Sequence, residues 1–542
     1  MTEPSLMRRW HALSLALAAA LLLHIACSHG LHGLSNDEEV QHVYGRLLLD
    51  FYASGFEDRA AFAYRNLYLY GGFFDLIAAG LERLGWAGTS VWDLRHLLSA
   101  GFGFVGIVYA ALLARRIGGP RAGFLAALLL SLTGAWSGAM FTHTKDVPFG
   151  AAMAAGLYHG SAWLAALPAP PWRHRIGLGL ALGAALGLRV GGVFLGFYLA
   201  AGLLALAWAA EGGPRARWIV LGRGLLAGLP SLALGLALMA LAWPWSVMGP
   251  DHVLQAARAF SHFAFDLWTV LDGQAYRIAE VPRSYLLHYL AVRLPEGLLL
   301  GLLAALLLGG AAGLRALRAG PAGRRRLALV LPLILAASFP LFFTLFTAPP
   351  LYNGLRHFTF VLPPLAVCAG LGLDALGRRM APAPKLLRAG FGLALLLLLL
   401  DPAWQLLRLH PYQSVAYNHL IGPLAGAERR WEMDYWGDSL REAATALNAR
   451  LAAEGPPPAQ PYKAAVCAEL IQGEAVLDRR YFVVTRDWLS ADFFLSPTQT
   501  GCDAALQGEV IERVQRLGAT LAVVKDRRGL PPSARAPRPP PP

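Results

Sequence analysis

Apolar positions in this chain come in long blocks rather than in the spacing of elements that bury one face. Eleven such blocks run at about 11–29, 96–114, 122–141, 148–167, 176–188, 191–209, 218–243, 297–314, 327–346, 358–376 and 389–404. Their length and sparse charge predict transmembrane helices. The fifth is short, and with the sixth it reads as a broken pair around Arg189-Val190-Gly191-Gly192. Two intervals, 30–95 and 246–295, form large loops on one face of the membrane. Past 405 the blocks stop. There Lys463–Glu469, Tyr481–Thr485, Asp492–Leu495 and Leu521–Lys525 read as short strands, and Leu440–Ala453 and Asp503–Leu517 as helices. The fold class is therefore mainly α: a polytopic membrane domain of about 11 transmembrane helices over 1–405, then a small α/β domain over 406–530. The proline-rich end, 531–542, reads as a disordered tail.

Charge orients the blocks. The chain has 542 residues, 56% hydrophobic and only 15% charged, too little polar surface for a soluble protein of this size. Its net charge of +13 would suggest nucleic acid in a soluble domain. Here the excess lies in short loops: Arg115/Arg116/Arg121, Arg173/Arg175, Arg215/Arg217, Arg315/Arg318/Arg324/Arg325/Arg326 and Arg378/Arg379/Lys385/Arg388. All fall on one side, so the positive-inside rule makes that side cytoplasmic and no nucleic-acid partner is expected. The first block follows Arg8 and Arg9 without an A-x-A cleavage site, which predicts an uncleaved helix with a cytoplasmic N-terminus. An odd count of spans puts the C-terminal domain outside, in the periplasm of a bacterial inner membrane. Cys27 and Cys368 lie in apolar blocks; Cys467 and Cys502 lie in the outer domain, where a disulfide is allowed, and the sequence leaves their pairing open.

Three cations break the charge pattern. Lys145, Arg189 and Arg356 fall beside short loops on the outer side, where a bare charge is costly without a partner. Lys145 sits in His143-Thr144-Lys145-Asp146-Val147-Pro148-Phe149, and Arg356 in Tyr352-Asn353-Gly354-Leu355-Arg356-His357. A membrane-edge cation often only snorkels. Three delivered to one face match an anionic lipid phosphate. Asn36-Asp37-Glu38-Glu39 follows the first span; such a cluster is often a solvated surface, but one carboxylate at the apolar edge could act as a general base. Aromatics crowd the outer loops, including Phe260, Phe263, Phe265, Trp268, Tyr276, Tyr285 and Tyr289, as interfacial anchors or as a platform over a substrate. His410-Pro411-Tyr412-Gln413 and Trp431-Glu432-Met433-Asp434-Tyr435-Trp436-Gly437 would buttress the domain junction or bind sugar. No P-loop, zincin or G-x-S-x-G motif is present.

These segments, with Asn66-Leu67-Tyr68-Leu69-Tyr70-Gly71-Gly72-Phe73-Phe74-Asp75, span about 35 to 440 and resemble the C-type (GT-C) membrane glycosyltransferases. The likeness is to protein O-mannosyltransferases, aminoarabinose transferases and, more closely, a bacterial mannosyltransferase-like group. It implies a polyprenyl-phosphate monosaccharide donor and inverting transfer to an acceptor hydroxyl on the periplasmic side. Asp37 would be the base, and Glu38 would orient acceptor or sugar. Lys145, Arg189, Arg356 and His357 would hold the lipid phosphate, with Asp146, His143, Tyr352 and Asn353 around sugar or acceptor. The acceptor, whether glycan, lipid or protein, stays open. So does a divalent metal, since Asp37, Glu38, His143 and Asp146 lack diagnostic ligand spacing. A transporter or flippase, or a non-catalytic binder of an anionic carrier lipid, would use the same cations.

Overall fold

The computed structural model describes residues 3–86, 88, 90–261 and 266–531. Phe263, Phe265 and the tail beyond Pro531 lie outside the described residues. Helices run back and forth between two ends of a bundle. At one end the arginine-rich turns meet. Arg121 pairs with Asp374, Arg378 donates to the Gly118 carbonyl at 2.9 Å, and Arg325 reaches the Ala165 carbonyl at 3.5 Å. The other end carries the large loops and the C-terminal unit.

Among the described residues, eight helices are long and apolar enough to cross a membrane, or nine if one bent pair counts as a single span. Eleven blocks were expected, and each difference has a physical reason. The third block folds as Pro120–Ser131 and Gly134–Thr142, bent by 71°. The fourth, Asp146–Ala165, is buried along nearly its whole length, so it needs no lipid-facing apolar stripe. The fifth, Trp172–Leu186, has 15 residues. That is only about 22 Å of helix, short of a hydrocarbon core of about 30 Å. Small residues let the bundle close. A Cβ on Gly372 would lie 2.0 Å from the Gly301 carbonyl oxygen, so only glycine permits this approach of Leu362–Met380 to Glu296–Ala304.

The outer intervals are structured. Glu38–Ala53 and Phe73–Arg83 pack together after the first span, and Trp268–Leu271 pairs antiparallel with Gln274–Arg277 in the second interval. The C-terminal unit is a five-stranded mixed sheet in the order Phe482–Thr485, Tyr462–Val466, Phe493–Pro497, Ala519–Asp526, Glu509–Arg516. The helix Leu440–Glu454 packs on it. Cys467 and Cys502 are disulfide-bonded. The helix expected over Asp503–Leu517 is absent; its place is taken by a 3-10 turn, Gln499–Ala504, and the strand Glu509–Arg516. The cause is the tight turn Leu517-Gly518, with φ of 47° and 85°, which returns the chain as a hairpin. Val510, Ile511 and Val514 have helix-like spacing, and the strand accommodates it by register shifts at Val510/Glu512 and Val514/Gln515.

One carboxylate clamps the unit onto the bundle. Asp438 accepts from His32 Nδ1 at 2.9 Å and from the Gly33 N–H at 2.6 Å, all three buried or enclosed just past the first span. Arg441 donates to the His32 carbonyl and to Asp93, each at 3.0 Å, and Gln472 donates to the Leu34 carbonyl at 2.6 Å. Asp438→Ala strands two buried donors at about 1–3 kcal/mol each. It should lower the thermal unfolding midpoint in detergent by several degrees; an unchanged midpoint would show that the clamp is not structural.

Candidate active site

Four breaks between helices meet at the loop-bearing end. Asp37 caps Glu38–Ala53, yet its side chain makes no capping hydrogen bond, which leaves the carboxylate to turn outward. Lys145 precedes Asp146–Ala165, and Arg189 precedes the 3-10 turn Val190–Gly192. Arg356 opens Arg356–Val361, after Asn353 and Gly354 in left-handed conformation (φ 57° and 63°). That pair turns the chain sharply, as an Asn-Gly dipeptide can without strain. At such breaks side chains leave the end of the bundle instead of packing between helices.

Asp37, Lys145, Arg189, Tyr352, Asn353 and Arg356 line one cavity of about 460 Å³. Tyr70, Gln41, Trp436 and the hairpin residue Trp268 complete much of its wall, while Cys467, Pro497 and Gln499 bring the C-terminal unit to its rim. Asp37 pairs with Arg356, and Asp146 pairs with Arg189 while its second oxygen lies 3.6 Å from Arg356 Nε. The Arg356 guanidinium rests on the Trp436 ring, 4.1 Å from its centroid. Lys145 Nζ sits 4.0 Å from the Tyr70 centroid, and among the described residues no carboxylate lies within ion-pair distance of it. Burial is the main force on Lys145 and lowers its pKa to about 8; the Asp75 carboxylate opposes this and Arg189 reinforces it. Arg189 Nε and Arg356 Nε are buried without a hydrogen-bond acceptor. The site thus has three cations against two carboxylates, and more donors than acceptors.

Other expected residues stand behind this wall. The Glu38 side chain is 0% exposed against 38% for Asp37. It accepts from the Ser35 N–H at 2.7 Å and bonds His96 at 3.2 Å, and it does not line the cavity. Neighbours on a helix point about 100° apart, and here that rotation carries Glu38 away from the cavity toward His96. Burial alone would raise Glu38's pKa, but His96, Arg95 and the Ser35 hydrogen bond bring it below the usual carboxylate range. His143 bonds the Tyr435 hydroxyl at 2.6 Å, and burial lowers its pKa to about 4, so it is neutral there. His357 packs edge-on against Tyr352, with centroids 4.7 Å apart. Asp37, Glu38, His143 and Asp146 do not converge as a metal set. Among the described residues the one group spaced for an ion is the half-buried Glu296 with the exposed Asp401 and His419, outside this cavity.

No protein-family model matches the chain, and no curated protein matches it. Among solved structures it is similar to ArnT from Cupriavidus metallidurans bound to undecaprenyl phosphate: 17% identity and TM-score 0.45, covering 95% of this chain and 98% of that one. It is also similar to the oligosaccharyltransferase AglB from Archaeoglobus fulgidus in complex with an inhibitory peptide and a dolichol-phosphate, at 14% identity and TM-score 0.45, over 90% and 69%. A shorter match is to the S. cerevisiae protein O-mannosyltransferase Pmt1-Pmt2 complex bound to the sugar donor, at 17% identity and TM-score 0.32, over 44% and 35%. Each likeness is distant, so the chemistry rests on the geometry of this site.

Sequence patterning singled out the cations and Asp37, held Trp268 open between an anchor and a platform over a substrate, gave Tyr70 only as part of a longer segment, and did not pick out Gln41. Tyr70 stands in the aromatic run 62–70, where nothing in the pattern separates an anchor from a cavity wall. Trp436 both lines the cavity and backs Arg356, so the junction segment is more than a buttress.

The position of Lys145 gives a pH test with undecaprenyl phosphate as probe. Lys145 is charged below about 8 and loses its charge above it. Affinity should therefore be full below that pH and fall about 10- to 100-fold as pH rises through it, the loss of one charge-assisted contact. In Lys145→Arg the fall should vanish. A wild-type profile that stays flat to pH about 10, where an ordinary lysine titrates, means that Lys145 does not meet the probe's phosphate.

Proposed function

We propose that this chain is a polyprenyl-phosphate-dependent glycosyltransferase of a bacterial inner membrane, with its cavity on the periplasmic side. One observation carries the reading: a part-exposed carboxylate, the buried Lys145 and two part-buried guanidiniums, from four separate breaks, face one cavity at the loop-bearing end. The donor class comes from the sequence resemblance. The positive-inside distribution of arginines supports the orientation.

In the mechanism, Lys145 and the guanidiniums of Arg189 and Arg356 take the donor's phosphodiester through charge-assisted hydrogen bonds. Asp146 spaces the two guanidiniums. Asp37 exchanges its contact with Arg356 for the acceptor hydroxyl and removes that proton. The acceptor oxygen then attacks the anomeric carbon from the face opposite the phosphate. The carbon–oxygen bond to phosphate breaks, its electron pair goes to the phosphate oxygen, and polyprenyl phosphate leaves with one more negative charge. Cations placed where that charge grows favour the transition state over the ground state. The energy resides in the sugar–phosphate bond, so no nucleotide is required. Tyr352, Asn353 and Trp436 stand where the sugar would lie.

Purified protein, a radiolabelled polyprenyl-phosphate sugar and a membrane extract as acceptor source test this. Asp37→Asn should lower transfer about 10²- to 10⁴-fold, the usual contribution of a general base, with carrier-lipid binding retained. Unchanged transfer by Asp37→Asn removes Asp37 from the mechanism. Label carried across a vesicle membrane without a new glycosidic bond would establish a transporter instead.

A further inference from the structure

A second large cavity, about 450 Å³, opens at the opposite, arginine-rich end. Leu164, Leu206, Ile219 and Val220 give it apolar walls, and Arg223 and Arg325 face it, with Glu211 also on the lining. Arg325 meets only the Ala165 carbonyl at 3.5 Å, and among the described residues no carboxylate lies within ion-pair distance of either arginine. Arg223 lies in Gly213–Ala242, a helix of 30 residues. Such a helix is about 45 Å long, well beyond a hydrocarbon core of about 30 Å, and a residue ten positions in lies about 15 Å from its start. Arg223 therefore lies in the first third of this helix, on the arginine-rich side of the bilayer. Trp208 and Trp218, 53% and 71% exposed, flank the turn between the two helices on that side, as interfacial anchors do, and Arg324 lies 5.1 Å over the Trp208 ring. A guanidinium at that depth without a carboxylate is costly unless an anion meets it. Two arginines against one glutamate select negative charge.

We propose that this cavity binds an anionic glycerophospholipid of the adjoining leaflet. Its phosphate lies between Arg223 and Arg325, and an acyl chain lies along Leu206, Ile219 and Val220. The site is separate from the cavity at Asp37 and does not depend on the reaction proposed for it. Basic pockets between membrane helices on the cytoplasmic side hold such headgroups, and two arginines at the phosphate correspond to a preference of roughly 30-fold.

Native mass spectrometry of the full chain in detergent tests this, with phosphatidylglycerol and phosphatidylethanolamine of the same acyl chains titrated separately. The wild type should retain phosphatidylglycerol at least about tenfold better. Arg223→Gln/Arg325→Gln should lose that preference. Ala322→Trp, which puts a large ring on the cavity lining and keeps both charges, should lose the bound lipid; it covers the case in which the double variant does not fold. Equal retention of the two lipids by the wild type, or unchanged phosphatidylglycerol binding in a folded variant, overturns the proposal.

Discussion

Asp146 is the constraint on which the cavity depends. It is buried at the start of an interior helix, pairs with Arg189 and lies 3.6 Å from Arg356, so one carboxylate sets the separation of two guanidiniums from distant parts of the chain. Without it, two cations at the edge of the bundle would repel each other and drift toward water. With it, they stay side by side, each retaining an N–H that no protein acceptor takes. Burying one charge alone is prohibitive; burying a partly neutralised set leaves a residual positive potential aimed at the cavity.

The rest of the fold holds that set in place. The helix carrying Asp146 is enclosed by the bundle, so its N-terminal end is fixed by packing on all sides. Above it, Glu432 accepts from Thr269 and the Val270 N–H and pairs with Gln499, joining the outer hairpin to the C-terminal unit. Burial raises the pKa of Glu432 to about 7, the mark of a carboxylate enclosed without a cation. Asp438 fastens the same unit to the segment that leads into Asp37. Membrane helices, outer hairpin and C-terminal sheet therefore act on one cavity.

Much of this was legible in the sequence because membranes punish misplaced charge. Lys145, Arg189 and Arg356 could be picked out by lying on the wrong side of the charge pattern, and Asp37 by its position after the first span. The limits are physical too. Glu38 is adjacent to Asp37, and only the helical rotation, which starts at Glu38 itself, turns it away toward His96. Hydropathy counts blocks without knowing which helices are enclosed, so Asp146–Ala165 and Trp172–Leu186 read like the lipid-facing spans. In Glu509–Arg516 the apolar spacing favours a helix, and pairing with Ala519–Asp526 through bulges overrides it. Trp268 reaches the cavity through the hairpin that turns at Asp272-Gly273, with φ of 49° and 82°, a two-residue turn signal that the block pattern of the loop leaves out of view.

The most direct measurement is a cryo-EM structure of the full chain with undecaprenyl phosphate bound. The account predicts the phosphate within hydrogen-bonding reach, about 3 Å, of Lys145 Nζ and of at least one guanidinium held by Asp146, with the Asp37 carboxylate facing the same space. A phosphate seated elsewhere, with those cations still paired only to Asp37 and Asp146, would contradict it.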